Sequence, residues 1–310
     1  MSNKSFVLCS FYRFYKLENK SNIKLILETF LYNKKVRGTI LLADEGINGS
    51  ISASEADIDD ILKFIKKKLN IRKLSVKFNR SNFLPFNKLK IRIKKEIVSL
   101  GRGKIDVNKF TGQYVHPLKW DKLIERKKIK VIDTRNKYEF NIGNFKNAIN
   151  PKTNSFREFP DRLKSLGIKE DDYLALYCTG GIRCEKASAY LKLNGFKNVL
   201  QLEGGIINYL NYRQNDKKKS HWNGECFVFD NRVTINKNLQ IGSYVQCHGC
   251  RHPLTKKEIK LKSYKKGVSC KYCFKSRNLK QKRRSEMRQI QINNAEKNNS
   301  PHPFKKVFAN

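Results

Sequence analysis

The sequence predicts a three-part chain. An α+β unit of the split-βαβ, ferredoxin-like kind is followed by an α/β unit with a parallel sheet, then by a small C-terminal cysteine-bearing segment. Three observations predict this. Strand and helix patterns follow one another as βαββαβ over residues 1–100. Over residues 115–213, short apolar runs alternate with helical spacing, as parallel sheets require. Over residues 214–310, four of the eight cysteines form two Cys-x-x-Cys pairs. Residues 101–114, opening Gly101-Arg102-Gly103-Lys104, read as an irregular linker.

In the first unit, Phe6 to Tyr15 alternates and is aromatic-rich, a strand. Ile23, Ile26, Leu27, Phe30 and Leu31 lie on one helical face, and Val36 to Ala43 is a second strand. Asp44-Glu45-Gly46-Ile47-Asn48-Gly49 is a turn that leads to Ser50-Ile51-Ser52-Ala53. Ser54 with Asp57 caps a helix whose apolar face is Ile58, Ile61, Leu62, Ile65 and Leu69. Leu74 to Phe78 and Lys88 to Leu100 read as strands. Lys90, Arg92 and Lys94 on the latter either face RNA phosphates or protect an exposed sheet edge from pairing with another chain.

The second unit has a short helix at Trp120 to Arg126, a buried strand at Lys130 to Asp133, and a helix within Phe156 to Leu166. Its central strand, Tyr173 to Tyr177, runs into Cys178-Thr179-Gly180-Gly181-Ile182-Arg183, and a helix over Cys184 to Asn194 follows. Val199 to Leu202 is the next strand, and Gly204-Gly205-Ile206 opens the last helix. Cys178 thus falls where a strand ends and a tight turn leads into a helix. Inward-pointing amides and the positive end of that helix favour thiolate over thiol, which makes Cys178 the candidate nucleophile. A buried structural cysteine before a capping turn is the plainer alternative. Arg183 either turns its guanidinium towards a bound anion or RNA phosphate, or pairs with a nearby carboxylate. Cys184 either resolves an oxidised Cys178 or packs as a small buried residue. Four residues separate Cys178 from Arg183, a cradle of sulfur size and tighter than the Cys-x5-Arg loop that holds a tetrahedral phosphate.

In the third unit, Asp216-Lys217-Lys218-Lys219 is a charged linker, His221-Trp222-Asn223-Gly224 reads as a turn, and Phe227 to Val233 as a strand. Nineteen residues separate Cys247-x-x-Cys250 from Cys270-x-x-Cys273. That arrangement suits a closed, tetrahedral structural zinc site, with His248 and His252 as substitute ligands. For so small a segment a metal supplies folding free energy that its core cannot. A basic helix follows over Asn278 to Ala295, with a disordered end after it. Lys280, Arg283 and Arg284 are candidates for nucleic-acid phosphates, and a merely solvated face is the alternative.

The chain has 310 residues and a net charge of +39, from 66 Lys and Arg against 27 Asp and Glu. That excess points to a polyanionic partner, most simply a nucleic acid, although AT-rich coding accounts for part of the lysine. No run of 18 apolar residues is present, so no spanning helix is expected. The amino-terminal apolar run is too short for a secretory signal, and the cysteine pattern suits a reducing cytoplasm. No P-loop occurs, Gly46 to Gly49 matches no phosphate-binding fingerprint, and no nucleotide cofactor is expected.

Residues 115–213 resemble a rhodanese (sulfurtransferase) domain. The resemblance is carried by Val131-Ile132-Asp133-Thr134-Arg135 with Tyr138-Glu139, by the loop from Cys178 to Arg183, and by Leu202-Glu203-Gly204-Gly205-Ile206. Gly143-Asn144-Phe145 departs from the Gly-His-Ile of many rhodaneses. The whole chain is similar to the rhodanese-related tRNA uridine(34) hydroxylases, through Asp44 to Gly49, Asn154 to Pro160, Cys178 to Lys186 and Gly224 to Asp230. The resemblance implies oxygen-dependent conversion of the wobble uridine to 5-hydroxyuridine, with Cys178 as the persulfide-type cysteine, molecular oxygen as co-substrate, tRNA as partner, and a sulfur donor or reductant. Two other readings stay open: a sulfurtransferase that relays a persulfide, and a non-enzymatic RNA-binding adaptor.

Overall fold

The computed structural model describes residues 6–214, 220–300 and 302–303. The charged linker expected at 216–219 and the end of the chain beyond 303 lie outside the described residues.

The first unit consists of β1 (Phe6–Phe14), α1 (Lys20–Tyr32), β2 (Arg37–Ala43), β3 (Gly46–Ala53), α2 (Glu55–Lys68), β4 (Ser75–Ser81) and β5 (Leu89–Ile93). Its sheet has the order β4-β1-β3-β2-β5; the first four strands are antiparallel and β5 adds parallel to β2. The expected cap forms: the Ser54 hydroxyl accepts from the Asp57 amide at 3.2 Å. One sheet face packs Cys9, Phe11, Ile40 and Ile51 against Leu27 and Leu31 of α1 and Ile58, Ile61 and Ile65 of α2.

The expected strand over Lys88 to Leu100 stops at Ile93. Beyond it the chain leaves the ladder because side chains capture its amides. The Ile97 N–H donates to Glu45 Oε1 at 2.7 Å, and the Leu100 N–H to Glu96 Oε2 at 2.9 Å. The expected linker is also more ordered than its composition suggests. It carries α3 (Val107–Phe110) and the start of β6 (Gln113–Val115), and it buries Ile105 and Val107.

The central unit continues with α4 (Pro117–Ile124), β7 (Ile129–Asp133), α5 (Lys137–Phe140), β8 (Gly143–Phe145), α6 (Phe159–Lys164), β9 (Tyr173–Tyr177), α7 (Ile182–Leu193), β10 (Asn198–Leu202) and α8 (Gly205–Arg213). Its sheet is parallel throughout, in the order β6-β10-β9-β7. Side chains of β9 alternate between two cores. Ala175 and Tyr177 face Trp120, Phe145, Tyr209 and Trp222, whereas Leu174, Leu176 and Cys178 face the other way. That second core also holds Phe14, Ala43, Ile97 and Leu100 of the first unit, so the two units share it. Strand parity therefore turns Cys178 towards the amino-terminal sheet.

Residues 220–235, beyond the end expected for the central unit at 213, pack on that unit. β11 (Trp222–Gly224) pairs antiparallel with β8, and Trp222, Cys226, Val228 and Ile235 complete the core around Phe145. The expected strand over Phe227 to Val233 is a hairpin of β12 (Cys226–Phe227) and β13 (Thr234–Ile235). The tip of that hairpin also touches the first unit, where the Asn231 N–H donates to Pro85 O at 2.8 Å. Then come the short pair β14 (Val245–Gln246) and β15 (Pro253–Leu254) and the helix α9 (Leu279–Lys297), which opens with a capping box of Asn278 and Gln281. Among the described residues no helix is long and apolar enough to cross a membrane.

Candidate active site

Cys178 is the first residue after β9, and α7 begins four residues later. Gly181 makes the turn with φ +96°, a backbone angle that side chains avoid. Its N–H donates to Cys178 Sγ at 3.0 Å. The next βα turn seals the loop from behind: Ile206 N–H donates to Cys178 O at 2.9 Å and Ile207 N–H to Thr179 O at 3.1 Å. Gly205 permits this approach, since a Cβ there would lie 2.5 Å from Cys178 O. This is the physical content of the Leu202 to Ile206 motif.

Burial alone would push the Cys178 thiol up. The Cys184 side chain and amide, the Arg183 charge and the Gly181 amide outweigh burial and bring it down to about 5. Cys184 is driven the other way, by its own burial and by the neighbouring Cys178 sulfur, and stays protonated. Its Sγ also lies 3.6 Å from Thr134 Oγ1. The pair is thus one thiolate beside one thiol donor.

Of the two roles open for Arg183, the structure shows the carboxylate pair. Its two terminal nitrogens donate to the two Glu139 oxygens, at 2.7 Å each, and Glu139 is fully buried. A guanidinium held this way has little of its donor fork left for a ligand, so Arg183 acts on Cys178 through its charge. Burial would raise the Glu139 carboxyl, but Arg183 holds it below the ordinary carboxylate range. Under the loop, Arg135 is wholly enclosed; its Nη2 donates to Asp133 Oδ2 and to Gly143 O, both at 2.6 Å. At Gly143-Asn144-Phe145 it is therefore the Gly143 carbonyl that fastens the frame.

The amino-terminal sheet closes over the front of the loop. Tyr12 of β1 donates its hydroxyl to Glu185 Oε1 at 3.0 Å, and Glu185 also accepts from Tyr114 and Thr111. Lys186, on the next position of α7, reaches across to Glu45 Oε2 at 2.6 Å and Glu96 Oε2 at 2.5 Å. Cys178 is only 1% exposed as a result. A groove of about 750 Å³ lies elsewhere, between β4, α8 and residues 238–241, and none of its walls comes from the loop. Tyr12, Glu139 and Lys186 lay outside the candidate set. Glu139 had a signal in the Tyr138-Glu139 motif, whereas Tyr12 looked like any strand aromatic.

The four C-terminal cysteines converge. Their Sγ atoms lie within 4.8 Å of one another, with separations of 3.9 Å for Cys247–Cys273, 3.6 Å for Cys250–Cys270 and 3.9 Å for Cys270–Cys273. A zinc ion with four bonds of about 2.3 Å sets its sulfurs roughly 3.8 Å apart, so the donor set fits a tetrahedral metal. His252 is instead packed on the Tyr272 ring, with centroids 3.6 Å apart. Hydrogen bonding from Cys250 is the leading influence that lowers the Cys247 thiol, to about 4.

The remaining candidates lie on two surfaces. Lys90 is half-buried on β5, with Arg92 and Lys94 exposed; Lys280, Arg283 and Arg284 are exposed on α9. Burial and the charges of Arg92, Lys88 and Arg251 depress Lys90. That places Arg251, which follows the first Cys-x-x-Cys pair, near the β5 edge.

A parallel sheet with a thiolate cradled between β9 and α7 defines a rhodanese-type unit. A model of the rhodanese-like domain matches residues 117–211, and one of the UPF0176 acylphosphatase like domain matches residues 6–97. The chain is 46% identical over 304 residues to the tRNA uridine(34) hydroxylase of Pelagibacter ubique (strain HTCC1062), covering 98% of this chain and 99% of that protein. The chain belongs to the tRNA uridine(34) hydroxylase family. Among solved structures, a rhodanese-related protein from Thermoplasma volcanium is 24% identical, covering 32% of this chain and 92% of that one, with a TM-score of 0.28. A rhodanese-like domain protein from Staphylococcus aureus is 26% identical, covering 31% and 90%, with a TM-score of 0.27.

Proposed function

We propose that the chain hydroxylates C5 of uridine 34 in tRNA, with Cys178 as the reacting thiolate. The observation that carries this reading is the depressed Cys178 thiol, set in a loop of rhodanese design within a chain that matches a tRNA uridine(34) hydroxylase along nearly its whole length. A merely structural cysteine has no use for a lowered pKa. Replacing C–H by C–OH takes one oxygen atom. With molecular oxygen as co-substrate, the second atom leaves as water, and a reductant supplies two electrons. Cys178, alone or as a persulfide, is the nucleophile, while Arg183 acts on it from a distance and Cys184 donates to it.

The catalytic work belongs to residues 115–213 with the packed-on segment 220–235, and residues 1–100 form a ferredoxin-like cover. Cys247, Cys250, Cys270 and Cys273 hold a structural zinc ion with no open position. Lys90, Arg92 and Lys94, joined by Arg251, and Lys280, Arg283 and Arg284 on α9 meet tRNA phosphates. The net charge of +39 supports an electrostatic, sequence-independent hold on the RNA.

The test is mass spectrometry of tRNA nucleosides from a deletion strain that carries either the wild-type chain or Cys178→Ser. The expected result is loss of 5-hydroxyuridine with the variant and its return with the wild type. Undiminished 5-hydroxyuridine with Cys178→Ser defeats the proposal. Loss of thiouridine instead, with a one-sulfur mass gain on Cys178 after thiosulfate, assigns the chain to sulfur transfer.

A further inference from the structure

Negative charge on Cys178 calls for positive charge nearby, and three buried cations around the loop are already balanced. Arg183 is bound by Glu139, Arg135 by Asp133, and Lys186 by Glu45 and Glu96. Lys77 is different. It lies on β4 opposite Ser10 of β1, on the sheet face that closes over the loop. Its Nζ sits 5.0 Å from the centre of the Tyr12 ring and donates to Ser75 Oγ at 3.3 Å, with no carboxylate ion pair among the described residues. Tyr12 in turn meets the loop: its hydroxyl is 3.1 Å from where a Cβ on Gly181 would stand. Burial pushes the Lys77 ammonium down, and the negative charges of Cys178, Glu185 and Glu203 oppose that.

We propose that Lys77 is a positioning residue for the reaction, whose ammonium, supplied by the amino-terminal sheet, holds the negative charge of Cys178 in place. The reactive anion is then assembled from two units of the chain. The amino-terminal sheet becomes part of the chemistry rather than only a cover. The charged and titratable groups around this pair are Arg183 and Cys184 of α7 beside Cys178, Glu139 behind Arg183, Tyr12 of the sheet, and Glu185, Glu203 and Cys9 around Lys77. Lys77 is the one cation in this set without a bonded carboxylate, so its removal leaves the anions unopposed on that side.

This inference rests on Cys178 being the reacting thiolate, and its test reads the thiol apart from the reaction. Full-length wild type, Lys77→Met, Lys77→Gln and Lys77→Arg are alkylated with iodoacetamide across pH, and Cys178 is followed by peptide mass spectrometry. The midpoint of the profile reports charge, whereas its plateau reports access. The expected result is a midpoint raised by about one pH unit in Lys77→Met and Lys77→Gln and kept in Lys77→Arg. Hydroxylation of tRNA at the new midpoint should fall about twofold in the neutral variants, in step with the lost thiolate. An unchanged midpoint in both neutral variants overturns the proposal, even where the plateau or the melting temperature moves. Hydroxylation that survives Cys178→Ser overturns the underlying reading instead, whatever the Lys77 midpoints show.

Discussion

Around Cys178, a single sulfur is surrounded by an arginine, a thiol donor and two backbone amides, while the sheet of a different unit covers its front. Around Cys247, three further sulfurs crowd within 4.8 Å, all from one small module. The first site lowers one thiol by donors that the fold has already fixed in place. The second sets its thiols so close that the anion on Cys247 opposes ionisation of Cys250 and Cys270. Four thiolates at that spacing become stable only with a cation between them. Reactivity and metal binding thus diverge through neighbours, not through the sulfur itself.

The largest effect should come from the crowded site. One zinc ion per chain is expected by metal analysis. Cys273→Ser should lower it towards zero and open the β14–β15 and α9 region to rapid amide exchange, because structural zinc contributes on the order of 10 kcal/mol to such modules. The Cys178 alkylation midpoint should stay put in that variant. A shift there would mean that the two sites are coupled and would break the contrast.

A smaller effect is expected from the frame of the lone thiolate. Gly205→Ala puts a methyl group 2.5 Å from Cys178 O, at a backbone angle of φ +71°. A loss of about 2 kcal/mol in stability is expected by denaturant titration, together with a raised Cys178 midpoint as the loop amides move off the sulfur. Normal stability with a normal midpoint would show that the loop does not depend on this packing.

The smallest effect belongs to the surface. Lys90→Ala should weaken tRNA binding alike for all tRNAs and reduce the log–log salt slope by about 1. Filter binding across a salt series measures it. A change in which tRNA is preferred, with the slope kept, would mean that Lys90 reads bases and not phosphates.

Much of this was legible in the residues. The strand–loop–helix frame of Cys178 was visible because its cues are local: a short apolar run, two glycines, then helical spacing. The four-cysteine cluster was visible because metal-ligand spacing is a property of sequence. What escaped was long-range. Lys77, between Ser75 and Asn79, reads as the wet side of an edge strand, and only the fold brings the central unit over it. The strand expected to reach Leu100 ended at Ile93 because Glu45, some fifty residues earlier, captures the Ile97 amide. Likewise Trp222 and Val228 read as a turn and a strand of the C-terminal segment, yet the core around Phe145 is incomplete without them. Arg183 has no local cue to its partner, since Glu139 lies on a separate element.

The most direct measurement is titration of the Cys178 thiol in the full-length wild-type chain. Thiolate absorbance is read against pH as the difference from Cys178→Ser. A midpoint near 5 is expected, so hydroxylation should hold at neutral pH and fall only as acid protonates the sulfur through that value. A midpoint close to the ordinary cysteine value of about 8.5 would contradict the account, because the loop would then hold no anion at neutral pH.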